Sequence, residues 1–257
     1  MCGRYVNSAA SEDLIDEFDV EEVLDEDVPP SWNIAPTDPV RAIVQRLPRG
    51  ADKPAPAEKG NASTHRRQLR TVRWGLVPSW AKDRKIGARL INARHETVTE
   101  KPAFKSAAAR RRCLLPAGGY FEWQNTASGK VPYFLHADDG ELLAFAGLYE
   151  VWRDKSLPED DPGHWLWTCT VITQQATDLV GDIHDRSPVI VPAAMRAAWL
   201  DCSADDPLVA RRLLDEMPEP HLEPYVVSSE VNSVKNNGPQ LIDPVSSMSQ
   251  VQPQDLS

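Results

Sequence analysis

Nine short apolar segments, four to eleven residues long and rich in β-branched or aromatic side chains, run through the chain with few helix-length periodic stretches between them. They lie at 2–6, 40–44, 69–74, 112–115, 120–123, 131–135, 142–152, 165–173 and 188–191. Many strands with few short helices imply an α+β domain: a strongly bent, barrel-like mixed sheet with short flanking helices. A chain of 257 residues is ample for one such core, and no internal repeat divides it. Ser11 can cap a helix whose buried face is Leu14, Ile15 and Phe18. Further helices are expected near Gln174, at Pro192 as first helical residue, and near Asp206. Residues 48–67 and the polar stretch 154–163 read as mobile insertions, and 245–257 as a disordered tail. The domain is therefore expected over 1–244.

A formal net charge of −10 argues against a nucleic-acid partner until its distribution is considered. Residues 64–112 hold 14 Lys/Arg and three acids (Asp83, Glu96 and Glu100), whereas the remainder holds 14 basic and 35 acidic residues. A basic face on an acidic body is expected. Trp74, Trp80 and Phe104 fall within the basic stretch, and cations mixed with aromatics suit single-stranded nucleic acid. No apolar run approaches the roughly 20 residues that span a bilayer, and no charged-then-apolar leader is present. A cytoplasmic protein without membrane association is expected. Cys2, Cys113, Cys169 and Cys202 are too scattered for a zinc-ligand spacing or a disulfide framework, so neither metal nor cofactor is expected.

Cys2 follows Met1, and a small second residue permits removal of the initiator methionine. An amino-terminal cysteine carries an amine and a thiol two carbons apart. The pair can attack an aldehyde through nitrogen and close through sulfur into a thiazolidine ring. The amine suits that task, since an α-amino group titrates at about 7.7–8.0 and a lysine near ~10.4. Asn92 and Arg94, two residues apart, share a face if their segment is extended. An amide and a guanidinium there could hold a small polar group and a phosphate. Glu122 sits among aromatics in Tyr120-Phe121-Glu122-Trp123, after a turn expected at 116–119. Desolvation would raise its pKa toward the range useful for proton transfer; a strand with Glu122 facing water is the plainer alternative. His184, among charged residues in the loop 182–188, could act as general acid or base, or have no task.

These segments and others form an ordered set: MCGRY at 1–5, WNIAPT at 32–37, RWGLVPSWA at 73–81, INARHET at 91–97, RRCLLPAGGYFEW at 111–123, FAGLYE at 145–150, VIT at 171–173, IHDRSPVIV at 183–191 and VNSVKNNG at 231–238. With them the chain resembles, nearly end to end, the SRAP (SOS response-associated peptidase) domain family, proteins that crosslink to abasic sites in single-stranded DNA. The resemblance implies that Cys2, freed of Met1, is the nucleophile. Its amine would form a Schiff base at C1′ of the ring-opened sugar, and its thiol would close the thiazolidine. By the same resemblance Asn92 helps to fix Cys2, Arg94 holds a flanking phosphate, and Glu122 binds the amine or exchanges a proton with it. His184 protonates the sugar oxygen. Arg4 and Thr173 contact phosphate or lesion, Asn33 supports the Cys2 pocket, and Trp80 stacks on bases. The chain departs from the family's pattern at Ser187, where a longer residue is frequent, and at Ala81, where some members carry a second Trp.

The resemblance also implies a monomer that meets single-stranded DNA containing abasic sites, near the nucleoid during DNA damage, with replication-associated proteins as candidate partners. Two rival readings stand beside it. Cys2, Asn33, Glu122 and His184 could compose a thiol peptidase of the N-terminal-nucleophile type, which leaves the basic aromatic stretch without a purpose. A non-catalytic reader of modified or single-stranded DNA would use that stretch alone, and leaves the aminothiol unexplained.

Overall fold

The computed structural model describes residues 2–26, 28–46 and 65–245. In chain order the elements are β1 (Tyr5–Asn7), α1 (Ser11–Glu17), β2 (Glu22–Val23), β3 (Ser31–Ile34), β4 (Pro39–Arg46), β5 (Arg66–Trp74), β6 (Asn92–Arg94), α2 (Lys105–Arg110), β7 (Arg112–Ala117), β8 (Gly119–Thr126), β9 (Gly129–Ala137), β10 (Leu143–Arg153), β11 (Trp165–Gln175), α3 (Asp178–Ile183), β12 (Arg186–Pro188), α4 (Ala193–Leu200), α5 (Pro207–Glu216) and β13 (Leu222–Val226).

Five strands close on themselves. β4 pairs with β5 and β7, β7 with β10, and β10 with β11, all antiparallel. The parallel pairing of Thr168 and Cys169 with Arg73 and Trp74 joins β11 to β5 and completes the ring. Strand alternation then sends successive side chains to opposite sides of the wall. Ala42, Val44, Val72, Trp74, Cys113, Leu115, Phe145, Cys169 and Val171 belong to one buried cluster. Their neighbours Ile43, Leu114, Ala144, Ala146 and Ile172 pack outward with Leu14 and Phe18 of α1, Ala107 of α2, Trp199 of α4 and Leu214 of α5. Burial on both faces explains the apolar runs Ala42–Val44 of β4 and Leu143–Ala146 of β10, whereas β5 and β11 interleave Arg or Thr with their apolar residues. A second, antiparallel sheet runs β13-β9-β8-β1-β3 and leans on the barrel. Its Tyr5 and Tyr120 enter the first cluster, with Tyr5 edge-on to Trp74 (5.2 Å) and Phe145 (5.7 Å). The α+β, barrel-like mixed sheet is thus the observed architecture. Among the described residues no helix is long and apolar enough to cross a membrane.

The local expectations need several corrections. The cap of α1 is Ala10, not Ser11, and Asp13 Oδ2 accepts from the Ala10 N–H at 3.3 Å. β11 runs through Gln175, so α3 begins only at Asp178. Pro192 is the cap of α4 rather than its first residue. Asp206 caps α5 through Oδ1, 2.9 Å from the Leu208 N–H. β3, β13 and α2 were not anticipated. The predicted insertion at 48–67 lies outside the described residues except at its end, where Arg66 and Arg67 already belong to β5. The predicted tail lies outside them beyond Val245. At the stretch 154–163, Asp154 Oδ1 accepts from the Ser156 N–H at 3.0 Å, and the flanking Arg153 Nε donates to buried His164 at 2.8 Å.

After β5 the chain leaves the barrel through a loop held by close backbone approach. A Cβ on Gly87 would lie 2.4 Å from Gly75 O, and one on Gly75, whose φ is +130°, would lie 2.7 Å from Gly87 O. Gly87→Ala is therefore expected to lower stability by about 1–3 kcal/mol through overpacking against rigid backbone, read as a drop in Tm.

Candidate functional site

β1 is an interior strand of its sheet, between β3 and β8, so the segment just before it is fixed as well. The Phe121 N–H donates to Arg4 O at 2.9 Å, and Cys2 is fully buried. Asn92 Nδ2 donates to the Cys2 carbonyl at 2.7 Å. Asn92 is delivered there by β6, which runs parallel to β11 with Asn92 opposite Val171. Its Oδ1 is also buried, and among the described residues no donor reaches it. Burial pushes the Cys2 thiol well above its ordinary value, with the Glu122 charge adding to the effect and the positive amino terminus opposing it.

Glu122 projects from β8 and is 2% exposed. Burial raises its carboxyl to about 7, against the pull of the positive amino terminus. The plainer expectation, a strand glutamate facing water, does not hold. With Arg4, Trp123, Lys130 and His184 it lines a cavity of about 450 Å³. His184 follows α3, which is tied to β8 by Gln124 Nε2 donating to Asp182 O at 3.1 Å. Burial lowers the imidazole pKa, and the amino terminus lowers it further. His184 Nδ1 lies 3.0 Å from both the Arg186 N–H and Asp185 Oδ1. A single nitrogen cannot accept from the first and donate to the second. The lowered pKa favours the neutral ring, in which Nδ1 makes one of these two contacts at a time.

Other anticipated residues are placed differently. Asn33, expected to support the Cys2 pocket, has its polar atoms on neighbouring protein groups. It is 4% exposed, accepts from Arg4 Nη1 at 2.7 Å, and donates through Nδ2 to the carbonyls of Ser233 (3.0 Å) and Asn236 (2.8 Å). Its task is to lock the 231–236 turn behind Arg4, whose Nη1 also donates to Val231 O at 2.8 Å. Thr173 is 1% exposed, and its carbonyl accepts from Arg186 Nη2, so it anchors Arg186 instead of presenting itself to a phosphate. Arg186 in turn grips Glu96 through Nη1 at 2.6 Å and Nη2 at 3.1 Å. Arg94, opposite Thr173, is exposed.

The basic stretch is smaller as a face than as a sequence. Arg66, Arg67, Arg70, Arg110 and Arg111 are paired with Glu22, Asp19, Asp25, Asp205 and Glu150. Arg112 is buried, donating to Trp199 O at 2.6 Å and Ala108 O at 2.9 Å. Trp74 and Phe104 are core residues, whereas Trp80 is 60% exposed. Sequence reasoning missed Trp123 and Lys130 in the cavity wall. Trp123 was visible as the neighbour of Glu122, and its indole N–H donates to Asn232 Oδ1 at 2.7 Å beside the Arg4 guanidinium. Lys130 carried no signal, because only the β8–β9 pairing brings it there. Among the described residues no group of three or more His, Cys, Asp or Glu is arranged to hold a metal.

The family model described as SOS response associated peptidase (SRAP) matches residues 1–234, and the chain belongs to that family. It is 39% identical over 245 residues to the abasic site processing protein YoqW of Bacillus subtilis, covering 95% of this chain and 99% of that one. The chicken abasic site processing protein HMCES is 31% identical over 208 residues, covering 72% of this chain and 60% of that one. Among solved structures, a Bacteroides thetaiotaomicron protein shares the fold with a TM-score of 0.70 at 22% identity, covering 95% of this chain and 100% of that one. A phage-related protein of Bordetella bronchiseptica gives 0.62 at 28% identity, covering 88% and 94%.

The raised Glu122 pKa carries a stability consequence. The folded state holds this proton more tightly than the unfolded chain, whose carboxyl has the ordinary value near 4.5. Stability is therefore lost as the pH rises from about 4.5 to about 7, and the loss is complete above that. Glu122→Gln should be more stable than the parent at pH 8, by up to about 3 kcal/mol. The gap should close by pH 4.5 in chemical denaturation.

Proposed function

We propose that this protein processes abasic sites in single-stranded DNA by forming a covalent thiazolidine through Cys2. The observation that carries this reading is the pairing of a potential 1,2-aminothiol with an amide that fixes its carbonyl (Asn92 Nδ2, 2.7 Å) and a buried carboxyl that titrates at about 7. The full-length likeness to proteins named for abasic site processing supports it.

Loss of Met1 turns the Cys2 nitrogen from a peptide amide into a free amine, and the chemistry depends on that step. An abasic deoxyribose is mostly a closed hemiacetal. His184 assists opening as general acid: the protonated imidazole gives a proton to the ring oxygen while the C1′ hydroxyl loses its own to water, which releases the aldehyde and, after His184 is reprotonated by solvent, leaves the balance unchanged. The Cys2 amine adds to the aldehyde carbon C1′, and the carbinolamine loses water to give an iminium. Glu122, near its pKa, takes up and returns the proton that moves in this exchange. The thiol then adds to C1′, its proton leaves, and the five-membered ring closes; protein and DNA together have lost one water. Asn92 holds the Cys2 carbonyl throughout, and its buried Oδ1 is an acceptor for the new amine. Arg4 and Arg94 supply positive charge for the flanking phosphates, and exposed Trp80 offers a stacking surface.

The test is intact mass spectrometry of the protein mixed with a single-stranded oligonucleotide bearing one abasic site. The expected species is Met-less protein plus oligonucleotide minus one water, absent for Cys2→Ser and formed roughly a hundredfold more slowly by Glu122→Gln. Met-less protein that gives no adduct would overturn the proposal, and hydrolysis of a peptide substrate would then favour the peptidase reading.

A further inference from the structure

The barrel has a second end, away from Cys2. Tyr5 and Tyr120 rest edge-on against Phe145 of β10. Tyr149 lies four residues further along that strand and on the same side, roughly 13 Å away. There a cavity of about 300 Å³ is lined by Arg46, His65, Arg110, Arg111, Tyr149 and Cys202, among others. Arg46 ends β4, Arg110 and Arg111 end α2, and Cys202 lies in the turn after α4. None of these residues lines the cavity at Glu122 and His184.

Tyr149 is the unusual member of this lining. Its ring stacks on Trp167, with centroids 5.4 Å apart and planes 12° from parallel. Trp167 also lies under the guanidiniums of Arg70 (4.0 Å) and Arg46 (5.1 Å). The stack fixes the ring, and Tyr149 is only 3% exposed. Its hydroxyl nevertheless has no hydrogen-bond partner among the described residues, although a buried tyrosine ordinarily finds one. Burial pushes the phenol further above its ordinary value, against the pull of the Arg46 charge. The group therefore stands in the cavity as an O–H donor close to a cation.

The guanidiniums beside it are only partly committed. Arg111 Nη2 donates to Glu150 Oε2 at 2.8 Å, and Arg110 Nε donates to Asp205. Arg46 has its contact with Trp167 and no carboxylate partner among the described residues. The Nη groups of Arg110 and the buried Nε of Arg111 likewise meet no acceptor there. Asp201, the acid in the lining, turns its Oδ1 to the Ser203 N–H at 2.9 Å. A phenol hydroxyl and two guanidinium forks thus converge on one space with donors to spare. Arginine forks match the oxygens of a phosphate, and they bind it more strongly than a neutral acceptor. Since a water takes about 30 Å³ of liquid, the cavity has room for roughly ten heavy atoms.

We propose that this cavity binds a small phosphate-class oxyanion, gripped by the Arg46 and Arg110 guanidiniums and by the Tyr149 hydroxyl. Inorganic polyphosphates and phosphate esters of a few carbons share the required chemistry. The site is separate from Cys2, and the inference goes beyond the reaction proposed there without depending on it.

Pyrophosphate, which fills such a volume, is the probe, titrated calorimetrically into the full-length protein at fixed ionic strength. One site per chain with a Kd below about 1 mM is expected, and inorganic phosphate should compete for it. Tyr149→Phe keeps the ring and its stack, and should weaken binding about tenfold through the lost charge-assisted hydrogen bond. Arg46→Ala/Arg110→Ala should abolish binding, and because both arginines are exposed the fold is not at stake. No saturable binding by the parent would overturn the proposal. So would an affinity that both variants leave unchanged, since the anion would then sit on other cations. Displacement of pyrophosphate by a lesion-free single-stranded oligonucleotide would overturn it too, by giving the cavity to a nucleic-acid backbone.

Discussion

Two tyrosine rings set edge-on against Phe145, Tyr5 at 5.7 Å and Tyr120 at 5.9 Å, hold the amino-terminal strand onto the barrel. Edge-to-face contacts of this kind add to the large area that each buried ring removes from water. Because Tyr5 and Tyr120 are also register partners across β1 and β8, the same contact fixes Cys2 three residues upstream and Glu122 two residues downstream. The barrel brings Asn92 to the same place by another route, through the parallel pairing of β6 with β11. A short chain terminus, ordinarily among the most mobile parts of a protein, is thereby held against a rigid wall.

Desolvation has one effect on every titratable group at this site: it favours the neutral form. The thiol of Cys2 and the carboxyl of Glu122 rise, and the imidazole of His184 falls. A carboxyl near 7 and a neutral imidazole are both able to exchange protons at neutral pH. Around this neutral centre stand permanent cations, with Arg4 in the cavity wall and Arg94 at the surface. The division suits a reaction in which protons move at one carbon while phosphates on either side stay charged. Arg4 is steadied by Asn33, which spends its own polar atoms on that guanidinium and on the 231–236 turn. The motif at 231–238, which has no evident chemistry in the sequence, is therefore the platform beneath Arg4.

Much of the fold was legible because strand periodicity is local. The strands β4, β5, β7, β10 and β11 could be read one at a time, and the unbroken apolar runs within β4, β7 and β10 are what burial on two faces produces. The chemical identity of Cys2, and the unusual setting of Glu122 between aromatics, were legible too, since each depends on neighbours in the chain. Short elements were missed where a few residues gain their conformation from pairing: β3 through β1, and β13 through β9. The protein contacts of Thr173 and Asn33 were not legible, because a polar residue in a motif looks the same whether it faces a ligand or a neighbouring backbone. The basic stretch was overestimated for a related reason, since an arginine's charge says nothing about whether Glu22 or Asp25 will be folded against it.

The sequence by itself determined most of the longer strands, the α+β class with a bent, barrel-like sheet, and which side chains have the right chemistry. Only the tertiary structure decided which of those side chains meet. Cys2 and Asn92 are 90 residues apart, and Arg4 and Val231 are 227 apart. Contacts at such separation follow from how the barrel closes, through two residues of parallel pairing between β5 and β11, and no local pattern encodes that closure. The pKa values follow the same division: a carboxylate's intrinsic value belongs to the residue, and its displacement belongs to the water that the fold excludes.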